Sequence, residues 1–94
     1  MTTIYGLFVD GRCLYVGKTK KKLKERNWKH KSDCYDKKKR SYEYLKYKTI
    51  RNELKIDKKQ YYKQIKIQQI YSNVPENYAK IMEDFTINLY RDFG

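Results

Sequence analysis

The stretch TIYGLFVDGRCLYVG, residues 3–17, decides the fold. Thr3–Val9 is β-branched, aromatic and apolar, Arg12–Val16 is similar, and Asp10-Gly11 sits between them. Such side chains suit a pleated surface, and Asp-Gly is a strong signal for a tight hairpin turn. A two-residue turn would set Tyr5 opposite Val16 and send Tyr5 and Tyr15 to opposite faces, because side chains alternate along a strand. A three-residue loop with Gly11 left-handed and bulged sets Tyr5 opposite Tyr15, and this or an equivalent irregularity puts both phenols on one face. Chemistry shared by the two tyrosines therefore predicts an irregular hairpin.

Working outward, Lys20 to about Lys31 reads as a lysine-rich helix with Leu23 and Trp28 as its apolar points. Ser32–Arg40 is polar and reads as a loop. Ser41–Leu54 is helical by composition, with Tyr42, Leu45, Thr49 and Leu54 as a discontinuous inner face. Asp57–Gln60 is a break, and Tyr61–Ile70 alternates through Ile65 and Ile67 as a third strand. Asn73 and Pro75 mark the start of a last helix, about Glu76 to Tyr90, with Ala79, Met82, Phe85 and Leu89 at helical spacing. The order β-β-α-α-β-α predicts an α/β chain of the α+β kind. A three-stranded antiparallel sheet flanked by helices buries these faces most simply, in one domain over residues 1–94.

Hydrophobic residues make up only 39% of the chain, but eleven of the fifteen aromatics are tyrosine, which adds ring area to a core while keeping a polar tip. The net charge is +12, and residues 1–47 carry 14 Lys/Arg against 5 Asp/Glu. Self-repulsion on that scale is tolerable beside a polyanion, which makes nucleic acid the leading partner. Lysine greatly outnumbers arginine, which favours tracking phosphates over reading bases and implies weak sequence specificity. Cys13 and Cys34 share no CxxC or Cys/His cluster, so neither a zinc site nor a disulfide framework is expected. No apolar run approaches the roughly 20 residues of a membrane span, and the N-terminus lacks a cleavable hydrophobic segment. The expectation is an intracellular, reducing compartment and no membrane partner.

Gly17-Lys18-Thr19 and a basic helix follow the hairpin at once, and helical spacing puts Arg26 and His30 on one face. Glu83 lies among Met82, Phe85 and Ile87, where an acidic group needs a partner or a metal. With these residues in place, the chain resembles the GIY-YIG nucleases. Thr3–Tyr5 stands for the first motif, Tyr15–Gly17 for the second, followed by Arg26, His30 and a late helical glutamate, so the likeness runs from about Ile4 to Tyr90. Thr3 replaces the glycine that names the first motif. The asparagine that many members place about a dozen residues after the glutamate would fall beyond residue 94.

The resemblance implies a metal-dependent endonuclease that hydrolyses phosphodiester bonds, DNA being the favoured substrate. Tyr5 and Tyr15 would line the active site, with Tyr5 the preferred base. Lys18 matches a lysine found after the second motif, and Arg26 would contact the scissile phosphate. His30 would accept or orient a proton, and Glu83 would hold one Mg²⁺ or Mn²⁺. Lys20, Lys21, Lys22, Lys24, Lys29 and Lys31 would surround the site and bind nucleic acid. The rival readings are a catalytically inactive nucleic-acid-binding module with the same fold and a lysine-rich protein that binds acidic protein surfaces.

Overall fold

Across the Asp10-Gly11 turn, Val9 pairs with Arg12, and both turn residues have positive φ, 49° and 78°. That is the two-residue turn whose twist matches the strands, and Gly11 is there for its φ alone, since a Cβ would meet nothing within 4 Å. In the computed structural model, which describes the backbone of residues 1–93 and side chains to Tyr90, this turn joins strands β1 (Thr2–Val9) and β2 (Arg12–Thr19). The expected irregularity is present but sits inside β2. Phe8 pairs with Cys13 and Leu7 with Tyr15, so Leu14 is the extra residue. Tyr5 consequently opposes Gly17, not Tyr15, while Tyr5, Leu7, Tyr15 and Gly17 all share one face. The bulge replaces the three-residue loop as the device that aligns the phenols.

Strand β3 (Lys66–Val74) completes an antiparallel sheet of order β2-β1-β3. It begins later than its alternation suggests. Asp57 accepts a hydrogen bond from the Gln60 amide at 3.0 Å, and this cap opens a 3₁₀ turn (Lys58–Gln60) that runs into a short helix, α3 (Tyr61–Gln64). Helix α1 (Leu23–Tyr35) extends into the segment read as loop. The segment read as one helix over Ser41–Leu54 is three pieces: a 3₁₀ turn (Arg40–Glu43), α2 (Leu45–Lys48) and a π turn (Thr49–Glu53). Each change of pitch resets the inward face. Tyr47 and Ile50 are buried, whereas Leu45 is 78% exposed.

One face of the sheet carries Tyr5, Leu7 and Val9, packed with Cys34, Tyr47, Ile50, Ile56, Tyr61 and Ile65. The other carries Ile4 and Val16 under helix α4 (Glu76–Phe93), which contributes Ala79, Met82, Ile87 and Tyr90. Phe85 and Leu89, placed on the inner face by their spacing, lie instead on an outer stripe with Tyr78 and Ile81. The result is an α+β fold with helices on both faces of a three-stranded sheet. No helix among the described residues is long and apolar enough to cross a membrane.

Candidate active site

The inner side of α1 is polar. Its buried residues are Asn27, His30, Asp33 and Cys34, while Trp28, expected to face inward, is 62% exposed. Burying such groups is unfavourable unless each finds a partner, and each does. His30, fully buried, shares hydrogen bonds with the Tyr5 hydroxyl through Nε2 at 2.7 Å and the Tyr47 hydroxyl through Nδ1 at 2.6 Å. The Tyr61 hydroxyl donates to Asn27 Oδ1 at 2.9 Å, and Asp33 accepts from Lys29 and Lys39. Among the described residues no buried side-chain polar atom lacks a partner.

Burial governs the protonation of this cluster. Burial, with the nearby Arg26 and Lys46 charges, pushes His30 down to about 3, so the imidazole is neutral at physiological pH and has one N–H and one acceptor. Burial raises Tyr5 well above the usual phenol range, although the Arg26 charge pulls the other way. Tyr15 is raised by burial too, against the Arg26 charge, and the Glu83 charge adds to the rise in both. The neutral imidazole therefore donates one of these hydrogen bonds and accepts the other, held between the Tyr5 and Tyr47 hydroxyls. Tyr15 packs edge-on against both Tyr5 and His30, with centroids 6.2 Å and 5.5 Å away. Both tyrosines lie across Gly17, where an added Cβ would fall 2.7 Å from the Tyr5 hydroxyl and 2.8 Å from the Tyr15 ring. Only glycine fits there.

The chain matches no protein-family model, no curated protein and no solved structure.

Tyr5, Tyr15, Arg26 and His30 come together, and the Glu83 charge acts on the two phenols. Glu83 is half-buried and takes no ion pair among the described residues, the neighbouring Lys80 being bonded to Asp84 instead. Lys18 stands apart: it pairs with Ile4 in the ladder and lines a cleft with Thr2, Lys20 and Glu76 beside the start of α4. The six lysines expected around the site divide. Lys20 pairs with Glu76 and Lys29 with Asp33, whereas Lys21 and Lys22 lie in the link from β2 to α1. Lys24 and Lys31 line clefts beside Trp28, away from the phenols.

Two members were not singled out from sequence. Tyr47 holds His30 from the side opposite Tyr5. Lys46 places its ammonium 3.8 Å from the centroid of the Tyr15 ring, with the rings of Tyr47 and Tyr44 at 5.1 Å and 5.8 Å. Burial and the Arg26 charge lower Lys46 to about 8, only partly offset by Asp33. Neither Lys46 nor Arg26 has a carboxylate within ion-pair distance among the described residues. The sequence signal for them is slight, a lysine between Tyr44 and Tyr47 within a tyrosine-rich segment.

A divalent metal has limited protein ligation here. Among the described residues no three His, Cys, Asp or Glu side chains converge, so Glu83 would be its single carboxylate. That suits Mg²⁺, which retains waters and takes substrate phosphate oxygens beside one or two carboxylates. The unpaired state of Glu83 fits the same role.

Proposed function

We propose that the protein is a Mg²⁺-dependent endonuclease of the GIY-YIG type, acting on DNA with little sequence preference. The observation that carries this reading is the pair of cations without counter-ions, Arg26 and Lys46, held beside the buried Tyr5–His30–Tyr47 chain. Two neighbouring positive charges with no carboxylate partner repel each other in the free protein, and a phosphate between them removes that repulsion.

Each residue then has a task. Arg26 and Lys46 neutralise the non-bridging oxygens as charge builds on phosphorus. Tyr5 is wholly buried with its hydroxyl held by His30, so Tyr15, which is only half-buried, is the tyrosine that can meet a water. The base role moves accordingly from Tyr5 to Tyr15. Tyr15, as phenolate, takes a proton from the attacking water while the P–O3′ bond breaks, leaving a 5′-phosphate and a 3′-oxygen that is protonated by solvent. Tyr5, His30 and Tyr47 fix the position of Tyr15 through Gly17 and the shared ring contacts. Mg²⁺ held by Glu83 would supply positive charge to the leaving oxygen and favour the Tyr15 phenolate.

Supercoiled-plasmid nicking tests the reading. Nicking is expected in Mg²⁺, abolished by EDTA, and reduced about 100-fold or more in Glu83→Ala with DNA binding retained. Tyr15→Phe is expected to lose more activity than Tyr5→Phe. The burial that keeps both phenols protonated in the free protein favours a second reading, an inactive nucleic-acid-binding module. Salt-sensitive binding with no metal-dependent nicking would establish that reading in place of the first.

A further inference from the structure

On the flank of α1 away from His30, a cleft of about 440 Å³ opens between Trp28 and Tyr62, lined also by Lys24, Asn27 and Ile67. Its size falls in the range of small-molecule sites, about 300–1,000 Å³. We propose that this cleft takes an unpaired nucleobase, so that the protein prefers single-stranded or flipped-out nucleotides to intact duplex. The proposal rests on nucleic acid being the partner, as above, but does not depend on cleavage.

Exposure is the first support. Trp28 is 62% and Tyr62 44% exposed, so two large aromatics reach water at one cleft, and with Lys31 Nζ over the Tyr62 ring, Trp28 is the more open of the two. Flat π-faces stack with any base, which is how sequence-tolerant single-strand binders gain affinity. The second is charge. Lys24 lines the cleft, Lys31 Nζ lies 4.5 Å from the Tyr62 centroid, and Lys66 Nζ donates to the Tyr62 carbonyl at 2.9 Å. None of the three has a carboxylate partner among the described residues, so the apolar walls are rimmed by unpaired cations placed for a phosphate backbone. The third is a polar side chain in the cleft wall. Asn27 Oδ1 is occupied by the Tyr61 hydroxyl, which leaves the amide N–H₂ to donate to a base carbonyl. A duplex cannot enter, because its bases are already stacked on one another and paired.

Trp28 is the single tryptophan, so its fluorescence reports directly on the cleft. The titration is done in EDTA with a short oligothymidylate and with a blunt hairpin duplex of equal charge, closed by a non-nucleotide linker so that every base is paired. Oligothymidylate is expected to quench Trp28 to saturation and the hairpin to leave it nearly unchanged. By anisotropy of labelled strands, Trp28→Leu and Tyr62→Leu are each expected to weaken oligothymidylate binding about 5- to 100-fold while leaving hairpin binding unaltered. Both side chains are exposed, and circular dichroism checks that the variants fold. Equal quenching by the two nucleic acids, or unchanged affinity in both variants, overturns the proposal. Quenching by polyglutamate as strong as by oligothymidylate overturns it too and assigns the cleft to acidic peptides. Plasmid nicking in Mg²⁺ is a separate readout: nicking without quenching sinks the base site alone, and quenching without nicking sinks the nuclease reading alone.

Discussion

At Gly17 the absence of a side chain is what lets the Tyr5 hydroxyl and the Tyr15 ring lie across β2. Gly17→Ala forces a Cβ into both, so Tyr5 must leave His30. The expected loss of stability is about 1–3 kcal/mol, measured by urea unfolding. Lys46 gives a second prediction at this scale. The groups facing it are Arg26, Asp33 and the rings of Tyr15, Tyr44 and Tyr47. It is protonated below about 8 and loses its charge as pH rises through that value. Oligonucleotide affinity in EDTA is therefore expected to fall above pH 8, whereas Lys46→Arg removes the fall and Lys46→Gln is weak throughout. Helical spacing singled out Arg26 and His30 in the sequence, and the resemblance of the hairpin to a known motif pair singled out Tyr5 and Tyr15. Lys46 was hidden because one lysine among eighteen carries no information until three rings close around it.

Helix α1 faces its own core with Asn27, His30 and Asp33, and no periodicity of apolar residues announces such a face. The cost emerges in acid. His30 ordinarily titrates near 6.5 but is held at about 3 in the fold, so below 6.5 the unfolded chain binds a proton that the native state does not. Stability is present in full above pH 6.5 and falls as pH drops towards 3, by at most about 1.4 kcal/mol per pH unit from this group. His30→Gln is expected to be less stable at neutral pH and to show a shallower acid slope in urea melts. Helix α4 supplies the contrasting case. Its outer stripe makes Phe85→Ser a surface change, within about 0.5 kcal/mol of the parent, where an inward Phe85 would have lost several. The existence and type of the main elements were readable, including the hairpin and α4. The placement of the bulge at Leu14, rather than at the turn, and the start of β3 were not. The first depends on packing across the sheet, the second on the Asp57 cap, which outweighs an alternating pattern nearby.

For the whole molecule, the net charge of +12 is distributed over a surface with few carboxylate partners. Binding to single strands is expected to weaken as salt rises, by about 0.7 in log K per unit log salt for each phosphate neutralised, and a total slope steeper than about −2 is predicted. A flat salt response would remove polyanions as partners. The charge excess behind this expectation is legible from composition alone. The convergence of three elements on His30 was less so, because nothing local in the chain records that α2 would stand against α1.

The sheet order has a consequence for synthesis. The central strand β1 is made first, yet its outer partner β3 is made only after α1 and α2. A nascent chain therefore emerges with the hairpin able to close at once but one edge of β1 open until late in translation, a long-range pairing of the kind that slows folding. Tyr5 lies on that waiting strand, and its buried setting is finished only when β3 arrives to shelter it. Ribosome-bound fragments ending before Lys66 would carry the tyrosines, Arg26, His30 and Lys46 in the chain without the platform that assembles them.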